Sequence, residues 1–86
     1  MAILLHEAWL RPDGLAGACL AGPMGDDARR LFVQEGARLV WTFEAGRHFD
    51  AVVKFNEHFG REPYTTDQPW DRDPYPEEWL KVQRGA

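Results

Sequence analysis

A strand pattern followed at once by a helix pattern is the feature that most constrains how this chain can fold. Residues 37–45 (ARLVWTFEA) alternate in polarity, with Leu39, Trp41 and Phe43 on one face. A period of two with β-branched and aromatic residues is typical of a half-buried strand. Residues 47–60 (RHFDAVVKFNEHFG) place their apolar residues at helical spacing instead. We therefore predict a strand and a helix that pack on each other.

The boundaries of these two elements are marked by glycines. Gly46 separates the strand from the helix, and Gly60 stands where a helix would end in a left-handed residue. The apolar side chains of the helix fall on one broad arc when each residue advances by about 100°. We expect this arc to face the strand; it consists of Phe49, Val52, Val53, Phe55 and Phe59.

The first third of the chain predicts a hairpin and a short helix. Residues 2–10 are rich in apolar side chains, RPDG at 11–14 has the composition of a turn, and 15–21 form the returning strand. Within residues 22–36, an acidic pair at 26–27 suits the start of a helix.

The remainder, residues 61–86, is a proline-rich arm. Its prolines forbid a continuous helix or a central strand, although Pro76 can begin a short last helix. The 86 residues leave room for one domain, 1–86, made of a body (about 1–60) and this arm. We predict an α+β fold: a two-layer sandwich with a small, mainly antiparallel sheet of about three strands and two helices. The order of the strands stays open.

Charge and cysteine content exclude several classes of protein. The net charge is −4 and the basic residues form no stripe, which argues against nucleic-acid binding. No apolar run approaches the roughly 20 residues that span a bilayer, and the N-terminus lacks the pattern of a signal peptide. Cys19 is the one cysteine, so no internal disulfide forms. We predict a cytoplasmic protein that contacts neither nucleic acid nor membrane.

No nucleophile elbow, phosphate-binding loop, dinucleotide fingerprint or zinc-protease motif is present, so the sequence favours a protein that is not an enzyme. A metal site needs three or four converging ligands, whereas His48 and His58 lie about 15 Å apart along one helix. Asp67, Asp71 and Asp73 lack the framework of a calcium loop and are interpreted as carboxylates that keep the arm solvated. We predict no metal and no cofactor.

One hypothesis for a ligand site centres on His48 at the start of the predicted helix 47–60. A helix N-terminus disfavours the imidazolium, so His48 could act as a base or a ligand, with Glu44 nearby to orient it and Tyr64 from the arm above. The alternative is that His48 is a packed residue with one satisfied hydrogen bond. On the first interpretation, the protein is a small-molecule binding or catalytic domain.

The other hypothesis rests on the aromatic residues of the arm. Tyr64, Trp70, Tyr75 and Trp79 alternate with prolines and acids, and so much aromatic surface is normally covered. The arm docks on its own domain, or it forms a homodimer contact, or it binds another protein. The arm favours a small interaction or regulatory protein of otherwise unknown function.

The residues LVWTFEAGRHFDA (39–51) and YTTDQPWDRDPYPEEW (64–79) resemble a group of small, uncharacterised bacterial proteins of unknown function. The similarity covers about the C-terminal half of the chain and leaves out the predicted hairpin. It implies no activity, ligand or catalytic residue.

Overall fold

The computed structural model describes residues 2–65 and 69–85, with the side chains of Pro69 and Trp70 left out. It confirms the α+β fold, and each predicted element is present. Within the described residues, no helix is long and apolar enough to cross a membrane. The strands are β1 (Leu4–Leu10), β2 (Ala16–Leu20) and β3 (Arg38–Ala45); the helices are α1 (Asp26–Gln34), α2 (His48–His58) and α3 (Glu77–Arg84); 3₁₀ turns lie at Pro23–Gly25 and Pro69–Arg72.

The three strands form one antiparallel sheet in the order β2-β1-β3, so the first strand of the chain is central. The β1–β2 hairpin closes through the Arg11 amide, which donates to the Leu15 carbonyl at 2.8 Å. The Asp13 side chain accepts from the Leu15 amide, and Gly14 supplies the positive φ of 90° that the turn needs. The predicted turn residues therefore act as their chemistry suggests.

Helix α2 packs on one face of the sheet and forms the main core. Ala8 of β1 and Phe43 of β3 contact Ala51 and Phe55 of the helix, and Trp41 packs at the edge of this cluster. Phe43 and Trp41 lie with ring centroids 4.5 Å apart. This arrangement confirms the predicted packing of the 47–60 helix on the 37–45 strand.

Helix α1 lies on the opposite face. Trp9 follows Ala8 in β1 and therefore points away from α2, because neighbouring strand residues alternate between faces. Its ring stacks on Phe32 of α1, with centroids 6.0 Å apart. A Cβ on Gly17 would come within 2.7 Å of the Phe32 ring, so β2 needs glycine beneath α1. The two helices thus cover opposite sides of the sheet, so the α+β fold has three layers rather than the two of the predicted sandwich.

The expectation that Leu39 shares the core face with Trp41 and Phe43 is wrong. The register shifts along β1 between Ala8, which pairs with Trp41, and Trp9, which pairs with Leu39. This bulge inserts one extra residue into β3 and reverses the faces beyond it. Leu39 consequently lies on the α1 side of the sheet, where it is 46% exposed.

The arm docks on its own domain along the sheet and the start of α2. The Tyr75 amide donates to the Gly46 carbonyl at 2.9 Å, beside a bridge between Arg47 and Pro74. Further along, the side-chain amide of Gln83 in α3 accepts from the Leu5 amide and donates to the Leu5 carbonyl, both at 2.8 Å. These bonds continue the hydrogen-bonding pattern of the sheet beyond the end of β2.

Candidate functional site

A groove of about 860 Å³ lies between the face of β2, helix α2 and the arm. It exists because helix α2 packs over β1 and β3, whereas two of the three β2 residues on this face, Ala16 and Ala18, are small and only Leu20 is large. Ala16 and Ala18 project from β2 toward this side, since they pair with Leu10 and Ala8 of β1. Short side chains on the strand leave the space between it and the helix unfilled.

The walls of the groove run from the first to the last turn of α2. One wall is the helix stripe of His48, Ala51, Val52 and Phe55, which are spaced by three or four residues. The arm closes the end near the start of α2 with residues 73–76 and Trp79. At the other end lies Arg61, whose guanidinium donates to the Ala16 carbonyl at 3.2 Å and stands 5.0 Å from the centre of the Phe55 ring.

A buried histidine and a tyrosine meet at the arm end of the groove. His6 of β1 is only 5% exposed, and its Nδ1 lies 3.0 Å from the Leu4 carbonyl oxygen. Its Nε2 lies 2.9 Å from the Tyr75 hydroxyl, although the two residues are 69 positions apart in the chain. The His6 ring also stacks on Phe43 with centroids 5.1 Å apart.

The hydrogen bonds of this pair define the protonation state of the histidine. A carbonyl oxygen can only accept, so Nδ1 of His6 carries a proton and donates to Leu4. Burial lowers the pKa of His6 and keeps the ring neutral, which leaves Nε2 as an acceptor. Tyr75 must therefore donate its hydroxyl proton to His6.

The pKa values at the groove favour binding over covalent chemistry. Burial, with a contribution from the Asp50 carboxylate, raises the pKa of Tyr75 to about 12, so the phenol stays protonated at neutral pH. Burial and the neighbouring Glu7 raise the pKa of Cys19 to about 11. Its thiol lies 3.6 Å from the Glu7 carboxylate on the α1 side of the sheet. Neither group is an activated nucleophile.

The structure separates two of the predicted ligand-binding residues. His48 is exposed and lines the groove, whereas Glu44 lines a second depression of about 550 Å³ on the other flank of α2, with Asp50 and Lys54. The physical reason is strand alternation, because Glu44 follows the buried Phe43 and points to the other face of the sheet. Tyr64 packs its ring on Phe49, with centroids 5.6 Å apart.

The interaction residues predicted in the arm have different surroundings. Tyr75 is half-buried against His6, and its ring centroid lies 5.7 Å from that of Trp79, which is 39% exposed. Tyr64 is half-buried and donates a hydrogen bond to Asp71. The side chain of Trp70 and all of Asp67 lie outside the described residues.

Asp71 is 8% exposed, so its interpretation as a solvating carboxylate is wrong. The hydrogen bond from Tyr64 explains how a carboxylate can be buried there. Asp73, by contrast, is exposed as expected. Within residues 2–65 and 69–85, no group of three or more His, Cys, Asp or Glu side chains is placed to hold a metal ion.

Sequence reasoning missed His6, the most buried polar residue of the site. A signal was available, because His6 stands between Leu4 and Ala8 at alternate positions of one strand, and both neighbours are fully buried. Its tyrosine partner could not be inferred from spacing, since the contact is made by the distant arm.

Comparison with protein-family models, with curated proteins and with solved structures finds no match for this chain. The resemblance of its C-terminal half to small bacterial proteins therefore stays a prediction.

Proposed function

We propose that this protein binds a small, mainly apolar molecule in the groove between β2, α2 and the arm. The observation that carries the proposal is the His6–Tyr75 pair at one end of a groove of about 860 Å³. Ligand sites commonly measure about 300–1,000 Å³ and combine apolar walls with a few placed polar groups. This groove has that composition, with Val52, Phe55 and Trp79 among its apolar walls.

The site differs from the one predicted at Glu44, His48 and Tyr64. Of those residues His48 stays at the groove, while His6 and Tyr75 supply the buried polar contacts. The proposal keeps the small-molecule class of that hypothesis and moves the site to the other flank of α2.

A neutral fluorophore such as Nile red tests the proposal, because its emission rises in apolar surroundings. We expect saturable binding with one site per chain. The variant Ala18→Trp places a large ring in the groove from β2, so it should weaken binding at least 10-fold. Thr42→Trp is the matched control, since Thr42 is exposed on β3 and pairs with Glu7 on the opposite face.

Emission that does not saturate would contradict the proposal. Equal affinities of wild type and Ala18→Trp, with both folded by circular dichroism, would show that the dye binds elsewhere.

A second candidate, the interaction function, is supported by the exposed apolar side chains of α3. Trp79 is 39% and Val82 43% exposed, and they lie three residues apart on one side of the helix. Self-association through this side predicts a dimer by light scattering that Trp79→Ser converts to a monomer. A full-length chain that is monomeric at all accessible concentrations would refute a homodimer.

A further inference from the structure

The Tyr75 hydroxyl can offer only an acceptor to a molecule in the groove. Its single proton is directed to Nε2 of His6, which is held as an acceptor by the Nδ1–Leu4 bond on the other side of the ring. The remaining lone pairs of the Tyr75 oxygen accept hydrogen bonds. A polar group that binds beside Tyr75 must therefore be a donor.

Carboxylates reinforce this preference at the same end of the groove. Asp71 and Asp73 line it next to Tyr75. Asp73 is exposed, so its carboxylate is open to a molecule that enters from solvent. Carboxylates near neutral pH are acceptors and favour a positively charged donor.

The arginine among the described residues that line the groove is at the far end. The Arg61 amide donates to the Asn56 carbonyl in the last turns of α2 at 2.8 Å. Asn56 lies about 12 Å along the helix axis from His48, because each of the eight residues adds about 1.5 Å. The Arg61 guanidinium is held by the Ala16 carbonyl and the Phe55 ring. The acidic end of the groove thus carries Asp71 and Asp73 beside the exposed His48, and Arg61 lies at the opposite end.

Aromatic faces at the acidic end also suit a cation. Tyr75 and Trp79 lie with ring centroids 5.7 Å apart, and the His6 and Phe43 rings stack behind them. The negative face of an aromatic ring attracts an ammonium group, with a preference for tryptophan and tyrosine.

We propose that the groove binds a molecule with an ammonium head and an apolar body, and that the head lies among Tyr75, Trp79 and Asp73. This inference rests on the proposed function and names the class of ligand that the groove accepts. The apolar body then extends along Val52 and Phe55 toward Arg61.

Three indoles that differ in their polar head test the inference on the full chain. Tryptamine carries an ammonium group, tryptophol an uncharged hydroxyl of similar size, and indole-3-acetate a carboxylate. Each is titrated into ¹⁵N-labelled protein near pH 7, and binding is followed through the amide resonances of β2 and of the first turns of α2. We expect tryptamine to bind at least 10-fold more tightly than tryptophol, and indole-3-acetate to bind most weakly.

Charge removal locates the head within the groove. Asp73→Asn should reduce the preference for tryptamine over tryptophol at least threefold and leave tryptophol binding unchanged, because Asp73 is exposed and contributes charge rather than packing. Asp27→Asn is the matched control, since it removes the same charge from α1 on the opposite face of the sheet. We expect it to leave the preference unchanged.

The outcomes separate the ligand class from the site. If Nile red binds the groove but tryptophol or indole-3-acetate binds as tightly as tryptamine, or no indole binds, the amine class is refuted and the groove remains a binding site. An equal effect of Asp27→Asn and Asp73→Asn would also refute the placement of the head. If neither Nile red nor any indole binds, both proposals fail.

Discussion

The bond between Tyr75 and His6 makes a quantitative prediction about how the arm is held. Tyr75→Phe keeps the ring and its contact with Trp79 but removes the hydroxyl that lies 2.9 Å from Nε2 of His6. Because His6 is only 5% exposed, its Nε2 is then left as a buried acceptor without a partner. An unsatisfied buried polar group costs about 1–3 kcal/mol.

The free energy of unfolding in urea at pH 7.5 measures this effect. Tyr75→Phe should lower it by about 1–3 kcal/mol, with an unchanged dependence on urea concentration. In a chain of this length, each kcal/mol lowers the Tm by about 4–8 °C. Thr42→Val is the control, because it also removes a hydroxyl, but from an exposed position on β3. It should change the free energy of unfolding by no more than about 0.5 kcal/mol.

A double-mutant cycle shows whether the loss belongs to the pair. His6→Asn and Tyr75→Phe should be non-additive by about 0.5–3 kcal/mol, as expected for residues in direct contact. Two results would refute the reasoning. One is a Tyr75→Phe variant as stable as the Thr42→Val control, and the other is full additivity with His6→Asn.

Three further predictions concern pH, backbone space and thiol chemistry. Burial lowers the folded-state pKa of His6 below the ordinary 6.5, so the unfolded chain binds a proton more readily than the folded one. The stabilisation from a neutral His6 is therefore complete above about pH 6.5 and is lost as the pH falls toward the folded pKa. When urea unfolding is measured from pH 8 to 5, the free energy of unfolding should fall more steeply in wild type than in His6→Asn. Gly25→Ala should lower the free energy of unfolding by about 1–3 kcal/mol in the same assay, because its Cβ would come within 1.8 Å of the Leu20 carbonyl oxygen. A free energy of unfolding equal to that of wild type would show that the backbone moves to relieve this contact at no cost. Since the pKa of Cys19 is raised to about 11, alkylation by iodoacetamide at pH 8 should be far slower in the folded chain than in urea, and equal rates would contradict the burial of the thiol.

Local sequence patterns located the strands and α-helices of the described residues, but not the face of the sheet on which their side chains and helices lie. The alternation at residues 37–45 and the helical spacing at 47–60 carry their own period, so β3 and α2 could be read directly. The face on which Leu39 lies could not be predicted in this way, because a bulge depends on how β3 pairs with β1. The same limit applies to Glu44 and His48, whose nearness in sequence does not place them at one cavity.

The α+β class, the hairpin turn and the boundaries set by glycine and proline follow from the sequence alone, since these features depend on residues close together in the chain. Tertiary structure alone decided that β1 is central and that α1 and α2 lie on opposite faces of the sheet. It also decided that the arm brings Tyr75 to His6 across 69 residues. Such contacts form because burying apolar surface outweighs the entropy of closing a long loop, and no local pattern records which distant side chain will satisfy a buried histidine.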